Sequence, residues 1–181
     1  MSNFQFLHKE WPDIFAIAKE AEELSNVKAR SSLVNSRAAL EKGVRWMCVN
    51  DSRLTPEYNE RETVYRILIS NYFKSAVSEK PFRKKLHLLQ QLGNQAAHGE
   101  ETSIDKSNIG IKILFEFCCF LALSYGDLEI KTPVFTNIEF TGNEISETKE
   151  ELKRLETQLE KQHQKDKSQR EILLEQQESL E

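Results

Sequence analysis

Disulfide and metal chemistry are the first things this sequence lacks. Its three cysteines, Cys48, Cys118 and Cys119, show no C-x-x-C spacing, and two of them are adjacent within an apolar stretch. Buried free thiols in a reducing cytoplasm are therefore expected, with no metal site. The first nine residues carry no basic region followed by an apolar core, so no secretory leader is expected. The greasiest stretch, 109–125, is interrupted by Lys112 and Glu116. It falls short of the ~20 apolar residues of a membrane span, which predicts a core helix and no membrane partner. Missing as well are the G-x-x-x-x-G-K-[ST] phosphate loop, the G-x-S-x-G elbow and the H-E-x-x-H metal helix. An excess of positive charge is also absent. Of 29 acidic and 25 basic residues, 144–181 hold 11 and 7, which leaves 18 of each in 1–143. A neutral body is unlike a generic nucleic-acid-binding domain.

What is present is helical periodicity. With 181 residues, 39% of them hydrophobic and 30% charged, the chain suits one compact domain plus an appendage. Apolar residues at offsets of three and four predict helices over 13–24 (starting as early as Trp11), 27–49, 60–73, 81–98 and 104–125, with a loop over 50–58. No hairpin pattern interrupts them. The fold class expected is all-α, an up-and-down bundle of about five helices over 1–126. Residues 127–143, with Pro133, Val134, Phe135, Ile138 and Phe140 among Thr and Asn, suit an extended strap laid on the bundle. Beyond it, 144–181 place Ile145, Leu152, Leu159, Asp166, Leu173 and Leu180 at one heptad position, beside a companion position rich in Gln. That register predicts a weak C-terminal coiled coil and a homodimer formed through it; a solvated single helix acting as a spacer is the alternative.

The stretch 92–99, LGNQAAHG, organises the rest. On its helix Phe82, Leu86, Leu89, Gly93 and Ala96 share an apolar face, while Arg83, His87, Gln91, Asn94 and His98 form a polar stripe. Asn94 and His98, one turn apart, can reach one ligand; the plainer reading is a helix end with a small-residue contact at Gly93 and Ala97, closed by Gly99. Arg37 lies on the apolar face of the second helix and needs a partner, for which Glu41 is the nearest candidate; snorkelling to the surface is the alternative. The economical expectation is one hydrogen-bonded cluster of Arg37, Glu41, Asn94 and His98 at the helix contact, structural first, so that Glu41→Ala would destabilise severely. Lys80, Arg83, Lys84 and Lys85 form the one dense basic cluster of the body. They are candidates for phosphate contact, or else the wet face of a helix.

The run GNQAAHG resembles the signature helix of the DUF4145 group, helical domains related to the HEPN superfamily. Such domains are often fused to the front of type I restriction R subunit-like and DEAD/DEAH helicase proteins. Two further stretches are similar to that group: the opening Phe4-Gln5-Phe6-Leu7 with Glu10-Trp11-Pro12, and Ser36-Arg37-Ala38-Ala39-Leu40-Glu41; together the three span roughly 4–126. The resemblance implies a non-catalytic assembly or recognition module of a nucleic-acid-processing defence protein. Nuclease and ATP-dependent translocase domains would then lie beyond residue 181. ATP and Mg belong to those downstream domains, and none is expected in this chain. Partners implied are nucleic acid or other restriction-system subunits.

Catalytic HEPN ribonucleases resemble one another in an R-x(4-6)-H motif, guanidinium neutralising phosphate and imidazole moving a proton. Here Gly93 stands five residues before His98 and no arginine is correctly spaced, which argues against ribonuclease activity. Two alternatives stay open: an RNA-cutting effector using His98 with an arginine such as Arg37 or Arg83 brought in from elsewhere, and a stand-alone dimerisation adaptor. The triplet Glu129-Ile130-Lys131, of the E-x-K form, is a chance-level match to a nuclease half-site.

Overall fold

Pro12 has no N–H to donate and a φ already suited to a helix, so it opens the first long helix, α1 (Pro12–Leu24), at no cost. The computed structural model describes residues 2–127, 133–136 and 157 of the chain; among these, six α-helices and two 3-10 turns occur, and no strand. The fold is all-α, as the periodicity predicts. Ile14, Ala18 and Ala21 turn one side of α1 inward. A tight turn over 25–28, closed by the Lys28 N–H on the Leu24 carbonyl at 2.8 Å, brings in α2 (Ala29–Asn50). This helix is central: it packs against α1 and also against α5 (Lys80–Ala97) and α6 (Ile104–Tyr125). Leu33, Leu40, Val44 and Met47, which repeat at helical spacing, are fully buried. Each such side chain contributes about 1.5–3 kcal/mol by leaving water.

The single helix expected over 60–73 is two helices, α3 (Val64–Ile69) and α4 (Asn71–Ala76). Ser70 makes the break. Its hydroxyl donates to the Ile67 carbonyl at 2.7 Å and accepts from the Phe73 N–H at 3.1 Å, ending one helix and capping the next, while its own backbone is extended at ψ 156. Serine competes with helical hydrogen bonds through such local bonds, and here the competition wins. The start moves later as well, because Thr63 caps Arg66 and leaves 58–62 as coil.

The sequence expectation that the greasy helix is too short to span a membrane needs correction. At 22 residues, α6 is by length and composition long and apolar enough to do so, but 67% of its apolar window is buried inside the fold. It is the core helix. Phe115 on it gathers the N-terminal arm, with the rings of Phe4 and Phe6 each 5.9 Å away, and Phe135 at 5.0 Å. Glu22 fixes that arm by accepting from the Ser2 hydroxyl at 2.5 Å and from Asn3 Nδ2 at 2.6 Å. Asn3 in turn exchanges two hydrogen bonds with the backbone of Thr136. The rest of the predicted strap, the E-x-K triplet over 129–131 and the heptad region 144–181 lie outside the described residues, save Thr157.

Candidate functional site

The crossing of α2 and α5 is where the sequence concentrates its polar candidates. Gly93 permits the close approach: a Cβ built there would lie 2.3 Å from Arg37 Cβ and 2.9 Å from its Cγ, so the arginine stem lies directly on the glycine backbone. That position aims the guanidinium along α5, where it donates to Asn94 Oδ1 at 2.5 Å. Nε of Arg37 is buried and has no hydrogen-bond partner among the described residues. The contact is thus one strong charge-assisted bond rather than a bidentate fork.

Glu41 does not join them, which corrects the four-residue cluster expected from spacing. Its carboxylate accepts from Arg45 Nε at 3.2 Å and from its terminal nitrogen at 3.1 Å. The reason is local. A glutamate four residues before an arginine on the same helix is a favourable pair. Arg45 also ties down the 58–62 coil through the Tyr58 hydroxyl and the carbonyls of Glu60 and Glu62, so its guanidinium is already held near Glu41.

His98 is exposed, and it stands at the C-cap of α5. The helix ends in a two-bond cap: the Glu100 N–H bonds the Gln95 carbonyl at 3.0 Å and the Gly99 N–H bonds that of Ala96 at 3.3 Å. Gly99 takes φ +88 there, the left-handed conformation that glycine adopts without strain. Ala97 is exposed, so of the two small residues nominated for helix contact only Gly93 makes it. An arginine that spacing did not single out also reaches this end. Arg30 Nε donates to the Ala96 carbonyl at 3.0 Å, a cation placed on the negative end of the helix. Nothing in the sequence pattern marks it, because the contact spans 66 residues.

The polar stripe of α5 runs from buried His87 through half-buried Arg83, Gln91 and Asn94 to exposed His98. His87 is only 7% exposed and meets Tyr65 edge-on with rings 5.7 Å apart, since α3 packs against this side. Two members of the basic cluster are tied to other parts of the chain near its surface. Arg83 donates to the carbonyls of Val77 and Ser78, fastening the corner before α5, and Lys85 bonds Glu116 on α6 at 2.6 Å. Lys84 is half-buried and Lys80 is exposed at the first turn.

A second polar centre, not foreseen beyond its loop position, closes the other end of α2. Asp51 is 6% exposed and accepts from Arg53 at 2.6 Å and from the Tyr125 hydroxyl at 2.7 Å. The Arg53 guanidinium, helped by Tyr125, holds this carboxyl well below the usual carboxylate range, while burial pushes the Tyr125 hydroxyl up. Tyr125 also joins a ring ladder from Trp11 through Trp46, with centroid spacings of 5.4 and 5.7 Å, that continues to Phe120 at 6.4 Å. The Asp51 carboxylate, Arg53 guanidinium and Tyr125 hydroxyl satisfy one another and the centre reads as a lock, whereas Trp11 Nε1 is buried with no hydrogen-bond partner among the described residues. Burial pushes the Cys48 thiol up to about 11, which disfavours the thiolate that a nucleophile needs. Among the described residues no group of three or more His, Cys, Asp or Glu is placed to hold a metal ion. No family model, curated protein or solved structure matches this chain.

Proposed function

We propose that the chain is a non-catalytic assembly and recognition module of the HEPN-like kind its motifs resemble, acting within a restriction or helicase-type nucleic-acid-processing protein in the cytoplasm. The observation that carries this reading is the use made of the nominated side chains. Arg37 is committed to Asn94, Arg83 to the 77–78 backbone, Lys85 to Glu116 and Glu41 to Arg45. Groups spent on holding helices together are poor candidates for binding a scissile phosphate, whereas a rigid helical body suits positioning of other domains. Cross-linking mass spectrometry on the full chain in its host is the test. Cross-links from the helical body to nuclease, translocase or restriction subunits are expected, and cross-links to itself alone would replace the module with a dimerisation adaptor.

A second reading, an RNA-cutting effector, is favoured by one observation: Arg30 reaches the helix end at which His98 is exposed. Incubating the full chain with labelled RNA and Mg tests it. No cleavage is expected, and cleavage lost in both His98→Ala and Arg30→Ala would establish the effector instead.

A further inference from the structure

Between the corner that joins α4 to α5 and the C-terminal half of α6 lies a groove of about 400 Å³. This volume falls in the range of small-molecule sites, ~300–1,000 Å³. Its walls are aromatic: Phe82 of α5 and Phe120 of α6 stand with ring centroids 5.3 Å apart and planes tilted by 47°. Leu123, 69% exposed, continues the apolar wall to the mouth. The ionised side chains lining it are both carboxylates, Glu79 at the N-cap of α5 and Glu116 on α6. Lys85 donates to both oxygens of Glu116, at 2.9 and 2.6 Å, and so pairs its charge without lining the groove, while Arg83 is turned away onto the Val77 and Ser78 carbonyls; Glu79 is the exposed carboxylate at the mouth. An anion entering the groove would meet two carboxylates and aromatic faces, which carry negative potential. A cation would meet complementary charge on both counts.

We propose that this groove binds a small organic cation, an ammonium carried on an aryl or alkyl body, with the body laid against the Phe82–Phe120 pair and the charge facing Glu79 and Glu116. The site is separate from the α2–α5 crossing and does not depend on the function proposed above. Cys119 lines the same groove and supplies a reporter of occupancy, since it is half-buried whereas Cys48 and Cys118 are buried.

The full chain is titrated calorimetrically with three probes of like shape: 2-phenylethylamine (cationic), 2-phenylethanol (neutral) and 3-phenylpropionate (anionic). In parallel, alkylation of Cys119 by iodoacetamide is followed by peptide mass spectrometry. The amine is expected to bind ~10-fold tighter than the alcohol, the scale of one cation–π or charge-assisted contact, and to protect Cys119, while the carboxylate does neither. In the Glu79→Gln/Glu116→Gln double variant the amine should fall to the affinity of the alcohol, with the alcohol unchanged. Helix content by circular dichroism checks that variant; if it is unfolded, the comparison of the three probes and Cys119 protection on the natural chain decide alone. Equal binding of amine and alcohol, binding that leaves Cys119 unprotected, amine affinity that survives in a folded double variant, or no amine binding at millimolar concentration each overturns the proposal.

Discussion

Gly93→Ala adds one methyl group at the tightest point between α2 and α5, and the distances fix the outcome. The new carbon would stand 2.3, 2.9 and 3.0 Å from Cβ, Cγ and Cδ of Arg37. Unstrained carbon contacts are ~3.5–4.0 Å, and Cβ cannot swing away because it is bonded to the α2 backbone, so the helices must separate by about 1 Å. Overpacking of this kind costs ~1–3 kcal/mol. Separation also weakens the Arg37–Asn94 bond, and hydrogen bonds to charged groups contribute ~1.5–3 kcal/mol. Alanine returns ~1 kcal/mol of helix propensity. The expected net loss is about 2–4 kcal/mol, read as a fall of roughly 1–2 M in the urea midpoint of the helical circular dichroism signal. Repeating the substitution in an Arg37→Gly background removes the opposing Cβ, and there Gly93→Ala should be neutral or stabilising by up to ~1 kcal/mol. If Gly93→Ala in the natural background is as stable as the parent, the helices do not meet at this glycine and the reasoning fails.

Glu41→Ala should cost no more than ~1 kcal/mol in the same assay, because the carboxylate pairs with Arg45 where their side chains are 36% and 31% exposed, instead of completing a buried network with Arg37; a loss above ~3 kcal/mol would restore the cluster expected from spacing. Asp51→Asn should destabilise by about 1–3 kcal/mol at pH 7. Because the folded carboxyl is held below its unfolded value of ~3.9, its contribution is complete above about pH 5 and is lost as pH falls below that. The gap between Asp51→Asn and the natural chain should therefore narrow in acid, and a gap constant from pH 7 to pH 3 would contradict the lock.

The helices were legible because their burial is periodic: of the α5 face named from spacing, Leu86, Leu89, Gly93 and Ala96 are buried and Phe82 is partly so. The break at Ser70 was not, since Val64, Ile67 and Leu68 keep helical spacing up to it and the capping hydroxyl leaves no trace in a hydrophobic pattern. Pairing was legible only halfway. Spacing showed that Arg37 needed a partner and gathered Glu41, Asn94 and His98 around it; Asn94, 57 residues away, makes the bond, while Glu41, named as the nearest candidate, does not. The choice depends on Gly93 admitting the arginine stem, a fact of tertiary approach. Arg30 and the Asp51–Tyr125 contact, across 66 and 74 residues, were invisible for the same reason.

These long-range contacts also weigh the two functional readings against each other. A phosphate held by Arg30 beside His98 would sit at the C-terminal end of α5, where the carbonyls of Gln95 and Ala96 point outward and carry the negative pole of the helix. Arg30 already spends Nε on one of those carbonyls, and the two cap bonds at Glu100 and Gly99 satisfy the same turn from within the chain. The guanidinium therefore serves first to offset helix charge, and the pole repels the anion it would have to capture. Phosphate-binding sites favour the opposite end of a helix, where N–H groups face the ligand. Arg37 is no better placed, since its Nε is buried and its donated bond is taken by Asn94. To capture phosphate, Arg30 would have to offer its terminal nitrogens beside the carbonyl that its Nε already serves, and Arg37 would have to do so from the crossing where it bonds Asn94. This placement is the reason the recognition module is proposed ahead of the nuclease.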